Sequence, residues 1–219
     1  MANRTSPMAA LERKLGKYAV KNLMLIVVGA MAIVFVMDMM IFSVAGISVI
    51  ERLSFNREAL LRGEVWRIIT FIFIPPNTSI IFIIFSLYFY YMIGSALENE
   101  WGAFRFNMFY LCGIIGTIIS GMITGIAVND FLNMSLFLAF AAFYPEFEVR
   151  MFFLIPIKMK YLAYVDIALI LYMFYLSGWS GRAAILASVV NLLIFFGKDM
   201  AFAVSRTFRK IVYKIKNRP

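Results

Sequence analysis

Thr78–Leu97 reads TSIIFIIFSLYFYYMIGSAL and, after the polar link ENEWGAFR over 98–105, the chain continues as FNMFYLCGIIGTIISGMITGIAV over Phe106–Val128. Neither apolar stretch carries a charge, and each has the roughly 20 residues a helix needs to cross a ~30 Å hydrocarbon core. Two such runs joined by a short link predict adjacent antiparallel membrane helices. Upstream, Leu23–Val44 is a third run of this kind, broken only by Asp38. Downstream, Phe131–Tyr144, Tyr161–Leu176 and Ala183–Phe196 are shorter apolar runs. With them the expectation is an all-α polytopic membrane protein, a helical bundle with six transmembrane spans.

Composition agrees. Of 219 residues 63% are apolar and 15% charged, too few charges to cover a water-soluble surface. The net charge of +9 raises nucleic acid as a partner, but the basic residues gather at the termini rather than on a folded face, so none is expected. The first apolar run is too long for a cleavable signal and should remain as an anchor. The single cysteine, Cys112, lies inside an apolar run and reads as a packing residue.

The loops set direction. With the N-terminus inside, the cytoplasmic side collects Arg13, Lys14, Lys17, Lys21, Arg105, Arg150, Lys158, Lys160 and the basic tail, whereas the outer side holds Arg52, Arg57, Arg62, Arg67 and Arg182. That bias places both termini in the cytoplasm, and a bacterial plasma membrane is the expected location. The chain divides into a basic N-terminal segment (1–22), a membrane domain (23–197) and a tail (198–219). Leu11–Tyr18 reads as a short surface helix. In the tail Phe208, Ile211, Val212 and Ile215 recur at helical spacing among Arg206, Arg209, Lys210, Lys214 and Lys216. A helix of that pattern lies on the bilayer and binds anionic lipid head groups.

Small residues form two rows in the third span: Gly113, Thr117, Gly121 and Gly125, flanked by Cys112, Gly116, Ser120 and Thr124. Such rows let helix backbones approach closely, so this span is expected to be the central, most contacted helix. Asp38, Asp166 and Asn191 are the polar side chains expected at membrane depth. Acids there are functional candidates because burying the charge is costly, but a hydrogen bond within the fold is the heavier reading for both. Trp66, Trp101 and Trp179 read as interfacial anchors, and Arg67 as a phosphate contact.

Residues 63–121 resemble the rhomboid superfamily. The matching positions are Gly63-Glu-Val-Trp66-Arg67-Ile-Ile-Thr70-Phe71, then Tyr88, Gly94, Glu98, Trp101-Gly102 and Arg105-Phe106, then Tyr110-Leu111, Gly113 and Gly116. The resemblance implies a six-span rhomboid-like helical bundle with a long outer first loop and a short fourth span. Active members hydrolyse a peptide bond with a serine in Gly-x-Ser-Gly opening span four and a histidine in span six. This chain has no histidine. Span four opens Asn129-Asp-Phe-Leu-Asn133-Met-Ser135, without the glycines, and Asn191 falls where the base would stand. The positions of the family's span-two histidine and asparagine are Phe82 and Ser86. A serine hydroxyl without a base to take its proton is a poor nucleophile. The expectation is therefore a pseudoprotease of the inactive-rhomboid or Derlin kind that binds other transmembrane helices or acts as a scaffold, with no cofactor and no metal. Two alternatives stand beside it: an intramembrane enzyme using Asp38 and Asp130 as a carboxylate pair, and a small transporter.

Overall fold

The computed structural model describes residues 7–76, 79–151, 155–179, 181–182, 185–186, 189–190 and 193. It opens with α1 (Pro7–Leu15), continued by a 3-10 turn over Gly16–Tyr18, which together form the expected short N-terminal helix. α2 (Leu23–Ala45) is the first long apolar helix. The first loop folds into short pieces: α3 (Val49–Leu53), β1 (Phe55–Asn56), α4 (Arg57–Leu61), α5 (Arg67–Thr70) and a 3-10 turn over Phe71–Phe73. Then come α6 (Ile80–Trp101), α7 (Ala103–Thr124), β2 (Ile126–Ala127), α8 (Asp130–Phe143), β3 (Glu148–Met151), β4 (Ile155–Lys158) and α9 (Met159–Leu176).

α2, α7 and α9 are each long and apolar enough to cross a membrane. α6 is as long as α7, at 22 residues, and uncharged from Ile80 to Leu97. The chain is a helical membrane protein. The first five apolar runs coincide with α2, α6, α7, α8 and α9 to within four residues at each end, and the sixth, Ala183–Phe196, lies largely outside the described residues. Two short antiparallel ladders interrupt the helices, with Phe55 opposite Ala127 and Val149 opposite Ile157. Sequence periodicity gave no sign of either, because two to four residues are too few for alternation to register.

α6 and α7 are separated by one residue, Gly102, whose φ of +82° is costly for any residue with a Cβ. That single left-handed residue turns the chain back on itself. Among the described residues α6 packs against α2, α7 and α8. Its approach to α2 is closest at Gly94, where a Cβ would run into the side chain of Met24. The buried core collects Met24, Met31, Phe71, Leu97, Phe106, Phe109 and Phe140. Trp101, half-buried rather than splayed at an interface, meets Phe109 and Phe143 edge-on, with ring centroids 5.7 and 5.6 Å away.

α8 is short. Fourteen residues rise about 21 Å, against about 33 Å for α6. Tyr144, just past its end, donates a hydrogen bond to Glu100 near the end of α6 (3.1 Å), so the two helices finish level and α8 begins on the order of 10 Å short of the other end. The first loop descends to meet it: the Asn129 amide donates to the carbonyls of Ile72 (3.2 Å) and Ile74 (2.9 Å). Backbone that is not helical survives at such depth only when the protein itself supplies its partners.

Candidate functional site

The residues marked by sequence fall into two sets at opposite ends of the bundle. At the end where α2 begins, Glu98 is buried and its carboxylate accepts from the backbone N–H groups of Asn22 (2.7 Å) and Leu23 (3.1 Å). These are among the N–H groups that a helix start leaves without partners, and a negative charge there also opposes the positive end of the α2 dipole. Gly94, one turn earlier on α6, holds the two helices close, so Gly94 and Glu98 work on a single seam. Arg105, in the first turn of α7, pairs with Glu12 of α1 at 3.6 Å. Gly113 is buried on α7 and Gly116 half-buried one turn on. Thr117 donates to the Gly113 carbonyl at 2.9 Å. Gly121 faces the loop ladder instead of a helix, since a Cβ there would meet Ala127 and the Phe55 ring.

At the other end the first loop is assembled on Arg67. Its guanidinium donates to Glu64 (Nε to Oε2, 2.7 Å) and to the carbonyls of Glu51 (2.8 Å) and Ser54 (2.6 Å). Arg67 is 8% exposed, and instead of the expected phosphate contact its guanidinium is engaged by three oxygens of its own loop. Thr70 adds a bond to the Leu53 carbonyl at 2.8 Å. Trp66 is half-exposed and donates to the Arg52 carbonyl (3.3 Å). Arg57 reaches the last carbonyls of α7, Met122 (3.2 Å) and Ile123 (3.4 Å), a cation at a helix C-terminus. Between these residues and the end of α2 lies a polar cavity of about 540 Å³ lined by Ser48, Glu51, Arg52 and Glu64.

The intramembrane acids divide. Asp38 accepts from the Ser48 hydroxyl (2.9 Å) and the Ile50 N–H (3.0 Å), and so holds the start of α3 to α2. Asp130, in the first turn of α8, is exposed. Asp166 on α9 is half-buried, and its Oδ2 is buried without a hydrogen-bond partner. Asn191 and the basic tail residues Arg206, Arg209, Lys210, Lys214 and Lys216 lie outside the described residues.

Ser135, the serine of the fourth apolar run that lacks the Gly-x-Ser-Gly glycines, is buried at 3% exposure and its hydroxyl donates to the Leu132 carbonyl at 2.7 Å. Two buried amides stand at the start of α8, Asn129 just before it and Asn133 within its first turn; Asn133 lies against the Tyr90 hydroxyl of α6. Phe82, in a position where the family stabilises an oxyanion, is 46% exposed and offers no donor. Sequence reading passed over Asn129, Asn133 and Tyr90. The signal that could have found them is the i, i+4 spacing of two asparagines in an apolar run. Among the described residues no cluster of three or more His, Cys, Asp and Glu side chains is placed to hold a metal ion. No family model, no curated protein and no solved structure matches the chain.

Proposed function

We propose that the chain is a rhomboid-like membrane protein without proteolytic activity, six-spanning with both termini in the cytoplasm of a bacterium, which binds the spanning segments of other membrane proteins. The observation that carries this reading is Ser135: a buried hydroxyl spent on its own helix backbone in a chain with no histidine to activate it. What supports the scaffold is that the family-motif residues keep work to do. Arg67 builds the first loop, while Gly94 and Glu98 join α6 to α2, and none of these roles requires a reaction. An enzyme working through Asp38 and Asp130 finds less support, since Asp38 is already engaged by Ser48 and Ile50.

The lipid-facing sides of α6 and α9 carry large exposed apolar groups, among them Ile84, Tyr88, Leu171 and Tyr175. Photo-crosslinkers placed at these four positions in living cells test the proposal. The expected result is reproducible adducts with spanning segments of a small set of membrane proteins. Adducts with lipid alone, together with a bare monomer in native nanodiscs, would refute it.

A further inference from the structure

Between the start of α2 and the first half of α7 lies an apolar cleft of about 440 Å³, a volume typical of small-molecule sites. Ile26 and Val27 form one wall, Met108 and Leu111 the other. Ile72 and Phe73 of the first loop close it at depth, and Tyr18 stands at its mouth. Two polar groups line this otherwise greasy space, Asn107 and Tyr110, one helical turn apart on α7. The Asn107 Oδ1 and the Tyr110 hydroxyl are both buried and both lack a hydrogen-bond partner, and Tyr110 is 2% exposed. Buried polar atoms are almost always satisfied, so two orphans on one wall mark a place where something else supplies the partner.

The mouth indicates what that is. Arg13, Lys14, Lys17 and Lys21, all exposed, flank in sequence the cleft-lining residues Leu15, Tyr18, Ala19 and Val20. Lys17 lies 4.9 Å from the Tyr18 ring centroid. Among the described residues none of these four joins an ion pair, the nearby Glu12 being taken by Arg105. From Ala103, at the start of α7, Asn107 and Tyr110 lie on the order of 6 and 10 Å along the helix.

We infer that this cleft holds one anionic glycerophospholipid of the leaflet facing α1. One acyl chain lies between α2 and α7, the Tyr110 hydroxyl donates to a glycerol ester oxygen, and the phosphate meets the basic residues at the mouth. Charge decides the class: an apolar slot alone would take any chain, whereas a cluster of unpaired cations beside it favours an anionic head group. The inference does not rest on the rhomboid reading.

The test is native mass spectrometry of the full chain, reconstituted in equal parts of phosphatidylglycerol and phosphatidylcholine and then released into mild detergent. The wild type is expected to retain one phosphatidylglycerol. Leu111→Trp fills the cleft and should reduce retention at least tenfold, while Leu171→Trp on α9, outside the cleft, should leave it unchanged. Tyr110→Phe removes an unpartnered hydroxyl, so it should keep the fold, shown by unaltered thermal stability in delipidated detergent, yet lower retention several-fold. Lys17→Gln combined with Lys21→Gln should abolish the preference over phosphatidylcholine. A wild type that retains no lipid would overturn the inference, as would equal retention by the two tryptophan variants or an anionic preference indifferent to the lysines.

Discussion

Glu98 shows how one side chain can carry both a sequence motif and a structural duty. Two bonds from a buried carboxylate to backbone N–H groups are worth about 1.5–3 kcal/mol each when one partner is charged, far more than an exposed ion pair supplies. Glu98→Ala should therefore lower stability by about 2 kcal/mol or more, and Glu98→Gln, which keeps one acceptor, by roughly half as much. Thermal unfolding in detergent measures both, and equal losses would show that the charge, not the hydrogen bonds, is what α2 requires. Gly94 is tested on the same seam. Alanine there collides with Met24 and should cost about 1–3 kcal/mol as an overpacked contact. Met24→Ala in the same chain should recover most of that loss; a pair of additive losses would place the fault elsewhere.

Asn129 governs an element rather than a contact. It sits at the start of α8, where an acid would ordinarily gain about 0.3–1 kcal/mol from the helix dipole. Its amide, however, points two donors at the carbonyls of Ile72 and Ile74. A carboxylate would face them acceptor to acceptor, at the few-kcal/mol cost of an uncompensated buried charge, so repulsion outweighs the dipole. Asn129→Asp is expected to destabilise more than Asn129→Ala, and to expose the loop around Pro75 to protease; the reverse order would refute this account of the loop.

The β3–β4 hairpin offers a pH-dependent contrast. Hydrogen bonds from Lys158 and then Lys160 pull the Glu146 carboxyl from 4.5 to about 2. A depressed carboxyl stabilises above its unfolded value, and that contribution is lost as pH falls from about 4.5 toward 2. The protection factors of the hairpin amides, with the acid slowing of intrinsic exchange divided out, should fall across that window and not in Glu146→Gln. The effect will be small, since the pair is exposed and screened.

The same elements show what the sequence made legible. Apolar runs announced α2, α6, α7 and α9, two of them free of charge and two carrying a single acid, Asp38 or Asp166, because a bilayer demands length and apolarity, and both are readable one residue at a time. The place where α2 and α6 meet was not. Of the glycines on α7, Gly121 accommodates Phe55 from a loop far away in the chain, and α6 approaches α2 at Gly94, a position outside those rows. Arg67 misled for a related reason: whether an arginine meets phosphate or its own backbone depends on how a loop folds, and the first loop has no period to read. The polar positions of the candidate site were legible at Asp38 and Asp166. Asn107, Asn129 and Tyr110 were hidden, since a neutral polar residue in an apolar run acquires meaning only from what stands opposite.

At the scale of the whole molecule, helices with lipid-facing apolar sides surround a packed core, a first loop pinned by Arg67 and Asn129 closes one end, and a charged seam closes the other. Ser135 spends its hydroxyl on the Leu132 carbonyl of its own helix. The proposal that it is inert is tested most directly by labelling the purified protein, in nanodiscs at neutral pH, with a fluorophosphonate that reacts only with activated serines. The account predicts no labelling above that of Ser135→Ala. Saturable labelling of the wild type that is lost in Ser135→Ala would contradict it.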